Sequence, residues 1–180
     1  MPQLIKGAIA EGGRVVDDVW STIDTEDALS DAASNASLLV TLALWQAHRD
    51  ALGMRDAPVG VQLEPSDDPI AICDDLHRFA VVAIRFSKFT DGRGYSIART
   101  LRERYAYRGE IRAVGDVLRD QIFYMLRCGF DAFAMKDGAF VEDVLVAYRD
   151  FSEAYQTSVE RPVPLFKRRV AASARGSRSA

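Results

Sequence analysis

The residues that could do chemistry concentrate in two short segments, each of which follows a predicted strand. The first spans residues 87–96 and the second spans residues 115–121. Because parallel α/β folds bind ligands beyond the carboxyl ends of their strands, we expect both segments at one rim. Arg112 lies inside the predicted strand that precedes the second segment. Together with Arg112, the two segments supply the candidate anion-binding residues, which are Lys88, Arg93, Tyr95, Ser96, Arg112, Arg119 and Asp120. Cationic groups at strand ends favour a small oxyanion or a phosphoester.

Two carboxylates at this rim, Asp91 and Asp116, are weak candidates for a general acid or base. No Ser–His–Asp arrangement is predicted, because His48 and His77 are expected on other helices, in solvated or capping positions. The chain has only two cysteines and two histidines, with no close pair among them. A metal centre is therefore not predicted.

The segment Gly92–Ala98 partly matches a dinucleotide-binding loop, since it follows a predicted strand and opens a predicted helix. Ile97 stands in place of the third glycine, and Arg93 and Tyr95 would crowd a bound pyrophosphate. A P-loop is excluded, because the chain has no glycine–lysine–Ser/Thr terminus at this position. The partial match does not predict a tightly bound cofactor. It leaves NADPH as a candidate for a cofactor that binds and dissociates.

The same residues have a structural interpretation. Asp91 would cap the helix, Gly92 and Gly94 would form a tight turn, and Arg93 would pair with a neighbouring acid. A third interpretation is a surface on which another protein docks. The sequence leaves all three open.

Alternating strands and helices position these residues. Apolar runs predict strands at 38–42, 58–63, 79–86, 110–114 and 131–135, each followed by an amphipathic helix. The last helix is predicted to run from Val141 to Tyr155. Ser66 is expected to cap one helix, and Gly129 to end another. About five βα units predict an α/β fold with a mainly parallel sheet, either an open three-layer sandwich or a partial TIM-like barrel.

The chain divides into three predicted regions. Residues 1–35 form an N-terminal hairpin or extension around Gly12 and Gly13, residues 36–158 form the α/β domain, and residues 159–180 form a largely disordered basic tail. Residues 161–180 hold six basic side chains and no acid, so the rest holds 23 − 6 = 17 bases against 26 acids, a net charge of −9. Such an acidic body argues against nucleic-acid binding.

Composition indicates a soluble globular domain. Hydrophobic residues make up 48% of the chain and charged residues 27%. The longest apolar runs reach about ten residues, too few to cross a bilayer. Without an export signal and with two distant cysteines, the expected location is the cytoplasm.

Residues 85–135, which begin RFSKFTDGRGYSIARTLRERY, closely resemble the core of a bacterial family of unknown function, number 934 among such domains. The likeness extends from about residue 38 to residue 169. Ser87 departs from the family, which usually has proline there. Members are usually labelled "oxidoreductase probably involved in sulfite reduction".

The resemblance implies a role in assimilatory sulfate and sulfite reduction. We expect an accessory protein that binds a small oxyanion or a partner enzyme, either sulfite reductase or phosphoadenylyl sulfate reductase, at the rim. The alternative is a stand-alone oxidoreductase that uses a rim carboxylate and a diffusible nicotinamide cofactor.

Overall fold

One sheet of eight strands runs through the described part of the protein. The computed structural model describes residues 3–88, 90–135, 141–151 and 154–176. Its strands are β1 (Gln3–Lys6), β2 (Arg14–Asp17), β3 (Trp20–Ile23), β4 (Ser37–Thr41), β5 (Val59–Leu63), β6 (Phe79–Phe86), β7 (Glu110–Gly115) and β8 (Ala132–Phe133). The helices are α1 (Glu26–Asp31), α2 (Leu42–Ala47), α3 (Arg49–Gly53), α4 (Arg93–Glu103), α5 (Ile122–Cys128), α6 (Val141–Ala147) and α7 (Leu165–Gly176), with 3₁₀ helices at Pro69–Arg78 and Arg119–Gln121.

The eight strands lie in the order β2-β1-β8-β7-β6-β5-β4-β3. Strands β3 to β8 are parallel, whereas β1 is antiparallel to both of its neighbours. Because each strand from β4 to β8 is added on the same side, right-handed crossovers place the helices on one face, and the sheet curls into a half-barrel. The α/β prediction is confirmed, and the partial barrel is the architecture found. A three-layer sandwich would need the strand order to reverse so that helices cover both faces.

The two edge strands of this sheet are neighbours in the chain. β2 and β3 lie at opposite ends of the strand order, yet only Asp18 and Val19 separate them. Three Cα–Cα steps span at most about 11 Å, so the two edges must approach one another at this point. The predicted N-terminal hairpin is present as β1 and β2. It belongs to the sheet instead of standing beside the α/β domain, because β1 pairs with β8 and β3 pairs with β4.

The sheet has an apolar core under its helices and a mixed lining on its other side, which we call the inner face. Side chains alternate along a strand. Ile111 and Ala113 of β7 therefore join the main core, while Arg112 between them projects from the inner face. That face also carries a small apolar cluster, which consists of Leu39, Val81 and Ala83 with Trp20 and Val114 packed against it.

Several local predictions need correction. Asp68, not Ser66, caps the helix after β5: its Oδ1 accepts the N–H of Ile70 at 2.9 Å, because Asp68 directly precedes the proline of the first turn. β8 covers only two of the residues predicted for it, and α6 ends at Ala147 instead of continuing to Tyr155. Gly129 is confirmed as a helix end, where its φ of +105° suits glycine.

The basic tail, residues 159–180, contains a helix, although the sequence predicts that it is largely disordered. α7 covers residues 165–176, directly after Pro164. Its composition explains the difference, since leucine, alanine, lysine and arginine are strong helix formers. Residues 177–180, the end of the predicted tail, lie outside the described residues.

Arg102 of α4 joins three separate parts of the fold. Its Nη1 donates to the carbonyls of Tyr107 and Gly109 at 2.8 Å, its Nε to the carbonyl of Gly129 at 2.9 Å, and its Nη2 to Asp131 at 2.8 Å. Asp131 in turn accepts the N–H of Ile111. One guanidinium thereby fixes the loops that lead into β7 and β8.

We expect Arg102→Lys to lower the free energy of unfolding by about 2–4 kcal/mol, because a lysine cannot replace four bonds in a planar fork. Urea unfolding followed by circular dichroism measures the change. Arg99→Lys is the matched control: it lies on the same helix in an exposed pair with Glu103, and should change stability by less than about 0.5 kcal/mol. Equal effects of the two substitutions would contradict the role assigned to Arg102.

Candidate functional site

The two predicted rim segments meet at the ends of β6 and β7. The N–H of Asp116 donates to the carbonyl of Phe86 at 2.7 Å. Gly115 permits this approach, because its φ is +92° and a Cβ there would lie 2.5 Å from the same carbonyl oxygen. A hydrogen bond between main chains thus holds the second rim segment against the end of the first.

Asp91 and Arg93 bind each other at the start of α4. Nη2 of Arg93 donates to Oδ2 of Asp91 at 2.7 Å, and the backbone N–H of Arg93 donates to Oδ1 at 3.1 Å. The side-chain hydrogen bond has the larger effect and the backbone bond the smaller, and they lower the pKa of Asp91 to about 2. Asp91 is therefore ionised at neutral pH and poorly suited to act as a general acid. The N-cap is Gly92, and Asp91 lies one residue before it.

This arrangement does not favour a dinucleotide at the loop. The carboxylate of Asp91 already accepts the N–H at the helix end, where a bound cofactor would present a phosphate. Gly94 serves packing, since a Cβ at this position would lie 2.7 Å from the Phe86 ring. The ion pair of the structural interpretation is present, although the capping residue differs.

Tyr95 is packed against other aromatic rings. Its ring centroid lies 5.4 Å from that of Phe86 and 5.1 Å from that of Tyr124. Burial raises the pKa of Tyr95, and a hydrogen bond with Gln121 opposes that rise. Three other residues predicted at the rim, Lys88, Ser96 and Asp120, have exposed side chains.

Arg119 is held by the segment around α6. Its Nη2 donates to Oδ1 of Asp150 at 2.6 Å, and its Nε donates to the carbonyl of Asp143 at 3.3 Å. The arginines proposed from the sequence are thus held by different acids in different parts of the fold. Arg93 is fixed within its own loop, Arg119 lies against α6, and Arg112 lies inside the curled sheet.

Arg112 lies in a buried cluster of charges on the inner face. Its side chain is only 1% exposed. Nε donates to Glu110 at 2.7 Å, and Nη1 donates to both carboxylate oxygens of Asp18 at 3.1 Å. Lys6 pairs with the other oxygen of Glu110, and the Trp20 ring lies 5.9 Å from the guanidinium carbon. Two cations and two anions thus converge from β1, β7 and the junction between β2 and β3.

Sequence reasoning missed the partners of Arg112. An arginine inside an apolar strand indicates a polar partner, but nothing local indicates Asp18, which is 94 residues away. The same holds for Lys6, which pairs with Glu110. The one usable signal is the alternation Glu110–Arg112 on one face of β7, since residues two apart on a strand share a face.

A second feature lies beyond the carboxyl ends of β4 and β5. A pocket of about 260 Å³ is lined by Thr41, Gln46, Gln62, Glu64 and Asp67 together with Leu42 and Ala43. Among the described residues its lining includes two carboxylates and no cationic side chain. Such a pocket suits a ligand that donates hydrogen bonds, and it does not suit an oxyanion.

The described residues contain no group of three or more His, Cys, Asp or Glu side chains placed to hold a metal ion. In the same part of the chain, no helix combines the length and the apolarity needed to cross a membrane.

The fold and these features define an α/β protein with a curled mixed sheet and a charged cluster on the inner face. A family model described as "Bacterial protein of unknown function (DUF934)" matches residues 60–166, more than half of the chain. The chain belongs to this family, which confirms that part of the resemblance. No curated protein and no solved structure matches the chain. The link to sulfite stays a prediction.

We expect Arg93→Ala to raise the pKa of Asp91 from about 2 toward the ordinary aspartate value of about 3.9, because the substitution removes the guanidinium. NMR titration of the Asp91 carboxyl carbon measures the shift. Lys88→Ala is the control, and it should leave the Asp91 titration unchanged. An Asp91 pKa that stays near 2 in Arg93→Ala would show that other groups stabilise the carboxylate.

Proposed function

We propose that the protein is an accessory protein of assimilatory sulfite reduction and that its C-terminal segment docks on a partner reductase. The observation that carries this proposal is the concentration of exposed apolar side chains in residues 146–170. Six of the eleven large exposed hydrophobic residues in the described chain lie there, with exposed fractions from 47% to 78%. They are Val146, Phe151, Tyr155, Val163, Phe166 and Val170. All six lie within 25 residues of the chain, and exposed apolar side chains that form a contiguous patch mark interaction surfaces.

The charge of the segment specifies the partner's chemistry. Residues 161–180 carry six basic side chains and no acid. On α7 the exposed Lys167 and Arg169 stand beside the exposed Phe166 and Val170. Aromatic side chains and arginine are enriched at protein interfaces, and lysine suits their polar rim. The partner that fits is therefore a protein with an acidic surface around an apolar patch.

Part of the predicted rim lies beside this segment. Arg119 bonds to Asp150, and the ring of Phe123 lies 4.9 Å from that of the exposed Phe151. Tyr124, on the same helix as Phe123, is also exposed. Because Arg93 and Arg119 are held in ion pairs, the rim favours a protein partner over a free oxyanion.

The choice of partner comes from the family resemblance, which implies sulfite reductase or phosphoadenylyl sulfate reductase. An accessory role is favoured over a stand-alone oxidoreductase for two reasons. The described residues hold no group of three or more His, Cys, Asp or Glu side chains placed for a metal ion, and Asp91 already accepts the N–H of Arg93 at the start of α4.

We expect the purified protein to bind one of these two reductases in isothermal titration calorimetry, and the double variant Phe166→Ser/Val170→Ser to weaken binding by about tenfold or more, because buried aromatic anchors dominate interface energies. The double variant Lys167→Glu/Arg169→Glu should weaken binding more at low salt than at high salt, because salt screens the attraction between the basic side chains and an acidic partner.

Met54→Ser and Arg14→Glu are the matched controls. Met54 is 86% exposed, and Arg14 is exposed on β2. The two controls therefore repeat the apolar-to-serine and base-to-glutamate changes on surfaces outside α7. If neither reductase binds, or if the controls weaken binding as much as the α7 variants do, the docking proposal fails.

A further inference from the structure

Arg112 keeps one unused hydrogen-bonding group in the interior. Its Nη2 is buried and has no hydrogen-bond partner among the described residues. Glu110 binds Nε, and Asp18 binds Nη1 with both of its oxygens. A buried charged donor without a partner is unfavourable, so the position calls for a further acceptor.

The geometry of the guanidinium specifies that acceptor. Nη1 and Nη2 form a planar fork that matches two oxygens of one carboxylate or oxyanion. Asp18 places both oxygens on one side of this fork and leaves the other side unused. A group with two oxygens set squarely against the fork would bind both nitrogens.

The cluster is also reachable from solvent. The side chain of Lys6 is 26% exposed and that of Asp18 is 15% exposed, although Arg112 itself is enclosed. Asp18 lies in the two-residue connection between β2 and β3, outside either strand. Its Oδ1 also accepts the backbone N–H of Trp20 at 3.1 Å, so turning away would cost this turn bond but no pairing between strands.

We propose that Arg112 and Lys6 form a binding site for a small oxyanion on the inner face, and that Asp18 is a built-in competitor which the oxyanion replaces. The oxyanion bridges Nη1 and Nη2 of Arg112, and Lys6 supplies a second positive charge. The exchange replaces one carboxylate with another anion, so a singly charged oxyanion keeps the cluster neutral. This site is separate from the C-terminal docking segment and does not depend on it.

The other unpaired arginine atoms do not offer such a site. The Nε atoms of Arg55 and Arg127 are also buried without a partner. In Arg55, however, Nη2 is bound by the carbonyls of Ala33, Ser34 and Ala36. A single Nε offers one bond, whereas Arg112 offers the end of its fork in a cluster with a second cation, Lys6, which binds the same Glu110.

Titration with nitrate, hydrogen sulfite and sulfate, against chloride at equal ionic strength, tests the proposal. Trp20 lies over the Arg112 guanidinium, so its fluorescence should change saturably with the first two anions. Trp20→Phe should abolish this change, while calorimetry still detects binding. That result distinguishes the site from Trp45, which is hydrogen-bonded to Asp75 elsewhere.

Three variants in the cluster are expected to change oxyanion affinity in different directions. Asp18→Asn should tighten oxyanion binding by roughly tenfold, because it removes a competing negative charge, and Lys6→Gln should weaken it by a similar factor. Arg112→Gln should abolish binding, with circular dichroism to establish that it folds. Arg99→Gln, in an exposed pair on α4, is the control and should bind like the unchanged protein.

An ordinary buried ion pair predicts a different pattern. In that case none of the anions would produce a saturable signal in the unchanged protein or in Asp18→Asn. That result overturns the proposal, as does Asp18→Asn binding no more tightly than the unchanged protein. Loss of reductase binding in the α7 variants with intact oxyanion binding would leave this site standing.

Discussion

A charge buried inside a sheet must be matched by opposite charges, and Arg112 meets this requirement with acids from different parts of the chain. Glu110 is its neighbour on β7, whereas Asp18 belongs to the connection between the two edge strands. Pairing with Asp18 ties the middle of β7 to the point where the edges of the sheet approach. This contact adds a charged link at a place where the short connection between β2 and β3 already brings the two edges of the sheet together.

Local signals predicted the parallel part of the fold well. β6 was predicted at its observed bounds, because an unbroken apolar run identifies a strand covered on both sides. Gly129 ended its helix as predicted, since that conformation depends on one residue. The places of β1 and β3 could not be predicted in this way. Their partners lie elsewhere in the chain, and short strands carry little pattern of their own.

The candidate site divides along the same line. The pairing of Arg93 with Asp91 lies within three residues and was among the alternatives that the sequence left open. For Arg112, the sequence indicated only that a polar environment must exist, because the acid that supplies it is 94 residues away. Shared position at strand ends is thus weak evidence for a shared pocket. Each arginine takes the nearest acid that the three-dimensional fold provides.

The strand order has a consequence for how the chain folds during its synthesis. β1 is synthesised before the other described strands, yet one of its neighbours is β8, and Ile5 pairs with Phe133. Until that late segment emerges, the hairpin of β1 and β2 shows an open edge of main-chain amides and carbonyls to whatever surrounds the nascent chain. Contacts of such long sequence separation fold slowly. Chaperones that shield unpaired strand edges would therefore matter more for this chain during synthesis than for a helical bundle of equal length.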